Sequence, residues 1–61
     1  MSIGDLVILK EYSDDKHICL WGLGIVVTRA WNSEGFWESL VWFDGIEEHV
    51  LCDDIDLKKV A

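Results

Sequence analysis

Apolar residues in this chain occur in short runs separated by Gly, Asn, Ser and Asp. An amphipathic helix would need apolar positions that recur every 3.6 residues over about 11–18 residues, and no run keeps that period. Short apolar runs with turn residues every 8–12 positions are typical of the strands of a sandwich or barrel. The pattern therefore predicts an all-β domain.

The pattern predicts five strands, which we expect at about 5–11, 24–31, 37–43, 46–51 and 56–60. In the first strand, Val7 and Leu9 are expected on one face and Leu6 and Ile8 on the other. A polar, acidic loop is predicted at 12–20, a turn at 32–35 and a single 3₁₀ turn at 52–55. The glycines of Gly22-Leu23-Gly24 predict a bend or bulge where the second strand begins.

The dipeptide Asp44-Gly45 is the strongest turn signal in the chain. Asp-Gly between two strand-like runs favours a tight hairpin turn, because such turns need a positive φ that Gly adopts freely. A two-residue turn would pair Phe43 with Ile46, whereas a three-residue turn would pair Trp42 with Ile46. We favour the first, which makes Val41 and Phe43 a core face with Trp42 pointing the other way.

Four segments together resemble the SH3-like small β-barrel. The segments are Gly4-Asp5-Leu6-Val7, Gly24-Ile25-Val26-Val27, Val41-Trp42-Phe43-Asp44-Gly45 and Asp54-Ile55-Asp56-Leu57. The resemblance covers nearly the whole chain and extends to Tudor-like and KOW-like domains and to short phage or marine-metagenome proteins. It implies one domain over residues 1–61, a five-stranded SH3-like barrel with a 3₁₀ turn before the last strand, and a phage or bacterial source. It is specific for fold and weak for function.

Charge and composition exclude several functional classes. Twelve Asp and Glu against five Lys and Arg leave a formal charge of −7, and nucleic-acid binding depends on Lys and Arg that neutralise phosphates. We therefore expect no nucleic-acid partner. The longest apolar stretch, 18–27, is too short for a membrane span, and no signal-peptide pattern is present. The expected location is the cytoplasm, or the host cytoplasm or virion for a phage protein, with Cys19 and Cys52 reduced.

No motif indicates catalysis or a cofactor. His17, Cys19, His49 and Cys52 are residue types that suit zinc, but only the second His–Cys pair has the usual ligand spacing, so we expect no metal. Three acidic pairs, at 14–15, 47–48 and 53–54, are interpreted as solvated turn residues, because catalytic carboxylates need a cleft and a perturbed pKa. The sequence predicts a protein that is not an enzyme and carries no cofactor.

The combination of aromatic and acidic residues is the best functional signal. Seven aromatic residues are many for so small a core, so some should lie at the surface. The resemblance to SH3 and Tudor-type barrels implies a groove in which aromatic rings face carboxylates. The predicted partner-binding residues are Tyr12, Asp14, Asp15, Trp31, Phe36 and Trp37. Alternatively, Trp31 and Trp37 form a cross-strand pair that stabilises a hairpin.

These observations predict a non-enzymatic protein-interaction module, a small accessory or structural protein of phage or bacterial origin. We expect the partner to be a protein or peptide, and a basic partner is one option. We expect neither a nucleic acid nor a membrane as partner. The alternative is a small structural subunit or homo-oligomer that binds copies of itself through an apolar patch.

Overall fold

The computed structural model describes residues 1–10 and 21–60, which form an all-β structure. The strands are β1 (Leu6–Leu9), β2 (Gly24–Trp31), β3 (Trp37–Phe43), β4 (Glu48–Asp53) and β5 (Leu57–Lys59), with a 3₁₀ turn at Asp54–Asp56. The predicted all-β class and the 3₁₀ turn before the last strand are confirmed. The predicted loop at 12–20 lies outside the described residues.

The five strands form one antiparallel sheet in the order β4-β3-β2-β1-β5. Strands β2, β3 and β4 follow one another along the chain and in space, as short hairpin connections require. The last strand returns to the other side of the sheet and pairs with β1, matching Val7 with Lys59 and Leu9 with Leu57. Strands β4 and β5 are therefore the two edges of the sheet.

The core lies on one face of this sheet and is small. Its buried apolar residues are Val7, Val26, Val41, Phe43, Cys52 and Leu57. Trp21 covers the core, its ring meeting that of Phe43 edge to face with the centroids 5.2 Å apart. Because a chain of this size buries only about 60 % of its unfolded surface, these few side chains provide most of the hydrophobic stabilisation.

A β-bulge in β2 decides which residues share the core face. The pairing with β3 shifts between Val26 and Thr28, so that Val26 lies opposite Val41 and Arg29 lies opposite Ser39. Without the extra residue, strict alternation would turn Arg29 away from the core face. The sequence predicted a bend or bulge at Gly22-Leu23-Gly24, whereas this bulge lies later, inside the strand.

The glycine at position 24 has a different role, which is close packing. It is buried opposite Phe43, and a Cβ atom there would collide with Val41 and would lie 2.8 Å from Phe43 Cε1. Only the absence of a side chain lets β2 approach the core aromatic ring so closely.

The hairpin between β3 and β4 corrects the prediction of a tight Asp44-Gly45 turn. Phe43 pairs with Glu48, so the loop contains four residues, and neither predicted pairing with Ile46 forms. The positive φ in this loop, 52°, belongs to Glu47, and Gly45 is not among the described residues with positive φ. Four-residue hairpin loops are commonly built around a type I turn, which explains why Gly45 needs no left-handed conformation. The predicted orientation of Val41 and Phe43 toward the core is nevertheless right, since both side chains are buried.

Within residues 1–10 and 21–60, no helix has the length and apolar character needed to cross a bilayer.

Candidate aromatic–acidic groove

Two exposed tryptophans mark the far end of the β2–β3 hairpin. Trp31 is the last residue of β2 and pairs with Trp37, the first residue of β3. Their rings meet edge to face with centroids 5.4 Å apart, which confirms the predicted cross-strand pair. Trp31 is nonetheless 60 % exposed and Trp37 46 % exposed, so the pair also presents aromatic surface to solvent.

The loop joining these strands is held by the side chain of Asn32. Its Oδ1 accepts hydrogen bonds of 2.9 Å from the backbone N–H groups of Glu34 and Phe36, and the Asn32 N–H donates to the Phe36 carbonyl. Gly35 supplies the positive φ of the turn, 88°. Asn tolerates such turns because its amide replaces a backbone acceptor. The loop thereby holds Phe36, which is 52 % exposed, next to the tryptophan pair.

The 3₁₀ turn supplies the opposite wall. Glu38 pairs with Asp53 at the end of β4, so the chain enters the 3₁₀ turn beside the start of β3. Ile55 in this turn is 69 % exposed. Asp53 precedes the turn in an extended conformation, and its side chain makes no capping hydrogen bond.

A polar network fastens the 3₁₀ turn to the sheet. Asp54 forms an ion pair with Arg29 and accepts a hydrogen bond of 2.6 Å from Ser39 Oγ, and Ser39 is fully buried. The Arg29 guanidinium carbon also lies 4.7 Å from the centroid of the Trp37 ring, a cation–π geometry. The charge of Asp54 is therefore balanced by Arg29. The side chain of Arg29 lies on the core face because of the bulge in β2.

Together these elements enclose a groove of about 330 Å³, which we call the aromatic–acidic groove. It is lined by Trp31, Glu34, Gly35, Phe36, Trp37, Asp53, Asp54 and Ile55. Since Arg29 balances Asp54, the uncompensated charges of the described lining are those of Glu34 and Asp53. A concave surface that combines exposed rings with negative charge favours cationic or amphipathic ligands.

The structure brings together only part of the predicted binding set. Trp31, Phe36 and Trp37 line one groove, whereas Tyr12, Asp14 and Asp15 lie outside the described residues. Carboxylates at positions 34 and 53 and the apolar Ile55 were missed by the sequence reasoning. The signal that could have found them is Asp53-Asp54-Ile55 itself, an exposed apolar residue beside acids in a predicted 3₁₀ turn.

His49 and Cys52 do not form a metal-binding pair. His49 pairs with Trp42 and is exposed, whereas Cys52 pairs with Ser39 on the core face. Positions three apart in a strand point to opposite faces, so the two side chains cannot bind one ion. His17 and Cys19 lie outside the described residues.

Burial governs the chemistry of Cys52. Loss of solvent raises the pKa of its thiol above the ordinary 9.0, and the neighbouring charges of Asp56 and then Asp53 raise it further. A buried thiol kept neutral in this way behaves as a small apolar side chain.

A second groove, of about 640 Å³, runs along β4 on the other side of the 3₁₀ turn. Its described lining includes Leu9, Trp21, Val50 and Ile55. The lining also includes Lys10, which with Trp21 flanks the segment 11–20 in the sequence, and we assign this groove no function.

No protein-family model, curated protein or solved structure matches this chain.

Proposed function

We propose that this protein is a non-enzymatic interaction module that binds an extended peptide segment of a protein partner, with at least one basic residue, in the aromatic–acidic groove. The observation that carries the proposal is the groove itself, in which Trp31, Phe36 and Trp37 stand exposed beside carboxylates. Exposed aromatic anchors contribute most of the binding energy at protein interfaces.

The proposal includes an SH3-like barrel as the full architecture. It is supported by the strand order β4-β3-β2-β1-β5 and by the 3₁₀ turn between β4 and β5. In this arrangement the hairpin loop and the 3₁₀ turn belong to a compact scaffold, which keeps the groove open without a ligand and lowers the entropic cost of binding.

The groove chemistry favours a peptide over a small molecule. Its volume of about 330 Å³ is at the lower limit of small-molecule sites, which span about 300–1,000 Å³. Its rings form the walls of an open groove, where the alternate side chains of an extended peptide would rest on Trp31 and Phe36. The carboxylates of Glu34 and Asp53 would attract basic residues and accelerate association at low salt.

The test is a titration followed by the amide spectra of ¹⁵N-labelled protein and by tryptophan fluorescence. The probe is a library of extended octapeptides containing Arg or Lys, with matched peptides in which these are replaced by Gln. We expect binding that shifts the amides of Trp31, Phe36 and Trp37 and that weakens as salt rises.

Two variants identify the groove as the binding site. Phe36→Ala should weaken the best peptide by about 30-fold, the effect of losing an anchor worth ~2 kcal/mol. Leu23→Ala is the control, since Leu23 is exposed at 42 % and does not line the groove. Equal effects of the two substitutions, or no binding by any peptide, would contradict the proposal.

A further inference from the structure

The two exposed tryptophans of the aromatic–acidic groove have different neighbours. The Trp31 ring lies against the hairpin loop, since a Cβ atom at Gly35 would lie 3.9 Å from Trp31 Cζ2. The residue before Gly35 is Glu34, whose carboxylate forms no ion pair with residues 1–10 or 21–60. Trp31 therefore presents exposed aromatic surface close to a loop that carries an unbalanced negative charge.

Trp37, in contrast, already holds a cation of this protein. The guanidinium carbon of Arg29 lies 4.7 Å from the centroid of the Trp37 ring, and the same guanidinium is paired with Asp54. Arg29 is not among the residues that line the groove, so it reaches the ring from outside it. Because a cation is attracted to the face of an indole, Arg29 uses part of the attraction that Trp37 could offer to a ligand, and its charge repels a second cation.

The surroundings of Trp37 in the groove are apolar or balanced in charge. Ile55 lines the same groove and is 69 % exposed, and the charge of the neighbouring Asp54 is already paired. Asp53 follows Cys52, whose side chain is buried in the core, so strand alternation directs the Asp53 side chain toward the opposite face of the sheet, at the rim of the groove. Trp37 and Ile55 together therefore offer an apolar surface.

We propose that Trp31 and Glu34 bind a basic side chain of the peptide, and that Trp37 binds an apolar side chain two residues away, which also contacts Ile55. Arg29 determines this division, because it occupies Trp37 with a cation and leaves Trp31 free. The centroids of the two indoles are 5.4 Å apart. Alternate side chains of an extended peptide have a similar spacing, about 6.6 Å. The inference rests on the proposed peptide binding and names the class of segment: a basic residue, any residue, then a large apolar residue.

The first test compares four octapeptides that differ only at these two positions: Arg-x-Leu, Gln-x-Leu, Arg-x-Gln and Arg-x-Arg. Binding is measured by tryptophan fluorescence in ~0.15 M salt, where long-range attraction is screened. We expect Arg-x-Leu to bind about tenfold more tightly than each of the others, a difference in the range of a single side-chain contact. Arg-x-Arg should be the weaker ligand although the chain carries a net charge of −7.

The outcomes separate this inference from the proposed function. If no peptide binds, the proposed function is wrong and this inference falls with it. If the peptides bind but Arg-x-Arg equals or exceeds Arg-x-Leu, the groove still binds peptides and only the division between the two tryptophans is overturned.

The second test uses Trp31→Ala and Trp37→Ala, a matched pair, because both substitutions break the same edge-to-face contact. Trp31→Ala should abolish the preference for Arg-x-Leu over Gln-x-Leu. Trp37→Ala should weaken both peptides and keep their ratio within about twofold of the wild-type ratio. Circular dichroism checks that each variant is folded. Equal ratios in the two variants would overturn the division, because a merely structural role predicts equal effects.

Two conservative substitutions give the same information without removing a ring. Glu34→Gln should reduce the preference for Arg-x-Leu over Gln-x-Leu, whereas Glu48→Gln, which removes one charge at an exposed position outside the groove, should not. Arg29→Lys keeps the cation and should keep the wild-type order of the four peptides. Arg29→Gln frees Trp37 and leaves Asp54 unbalanced, so Arg-x-Arg should then bind more tightly than Arg-x-Leu. An unchanged order in a folded Arg29→Gln protein, or equal effects of the two Glu substitutions, would overturn the inference.

Discussion

At the scale of single residues, Glu47 occupies a conformation that suits few side chains. Its φ of 52° lies in the left-handed region, where the Cβ atom approaches the following carbonyl oxygen at a cost of roughly 1–2 kcal/mol. Glu47 closes the four-residue loop between β3 and β4, and the chain reverses there only if this conformation is kept.

Replacing Glu47 by Gly should therefore stabilise the protein. We expect a gain of up to about 1 kcal/mol, since the relief of strain exceeds the extra entropy that Gly adds to the unfolded chain. Glu48→Gly is the matched control, which should lower stability because Glu48 begins β4 with ordinary strand geometry. Urea denaturation measures both changes. If both substitutions destabilise the protein alike, Glu47 is not the residue that closes this loop.

The thiol of Cys52 links stability to pH. Because its folded pKa is raised above the ordinary 9.0, the folded state retains the proton more strongly than the unfolded chain. The resulting stability is fully present below the unfolded pKa and is lost as the pH rises through the folded pKa.

We therefore expect the free energy of unfolding to fall above pH 9 more steeply for the wild type than for Cys52→Ala. The comparison of the two proteins cancels the titration of Lys and Tyr, which both contain. The measurement is the urea midpoint at pH 8, 9 and 10. Parallel pH profiles would show that the thiol is not held neutral by the fold.

At the scale of elements, the position of the 3₁₀ turn depends mainly on the side chain of Asp54. The Asp54 carboxylate forms an ion pair with the Arg29 guanidinium and accepts a hydrogen bond from the Ser39 hydroxyl. The side chain of Asp53 makes no capping hydrogen bond. A three-residue 3₁₀ turn has little intrinsic stability, so these bonds to β2 and β3 hold it in place.

Asp54→Ala should destabilise the protein by about 2 kcal/mol, because it leaves the Arg29 charge and the buried Ser39 hydroxyl without their acceptor. Asp53→Ala, the neighbouring and exposed control, should change stability by no more than about 0.5 kcal/mol. Chemical denaturation of both variants decides the matter. Equal losses would mean that the network does not fasten the turn.

The hairpins show why some element bounds can be predicted and others cannot. The predicted bounds of β2 and β3 agree with Gly24–Trp31 and Trp37–Phe43, because Asn32 and Gly35 are local turn signals that the structure uses directly. Strand β4 begins two residues later than predicted, at Glu48. Asp-Gly indicates where the chain turns, but the length of the loop depends on how β3 and β4 align in the sheet.

At the scale of the whole molecule, the sheet separates two kinds of surface. The aromatic–acidic groove lies at one end of the core face, where the hairpin loop and the 3₁₀ turn extend beyond the buried side chains. The opposite face carries the cross-strand row Leu6, Ile25, Trp42 and His49. Within residues 1–10 and 21–60, most of the Asp and Glu residues lie outside the strands, among them Glu34, Asp44 and Glu47.

The sequence by itself determined the all-β class, the approximate positions of five strands and a 3₁₀ turn, the Val41–Phe43 core face and the exposed Trp31–Trp37 pair. These features depend on alternation and local turn chemistry, which act between residues close in the chain.

Only the tertiary structure decided the register of β4, the bulge in β2 and the carboxylates that meet the exposed rings. The bulge turns Arg29 toward Asp54. The register between β3 and β4 places Asp53, and with it the 3₁₀ turn that contains Ile55, beside the start of β3. Such contacts join residues far apart in sequence, and a shift of one position would turn every side chain of a strand to the other face. No local pattern specifies that choice, so it is made when the strands pack around the core.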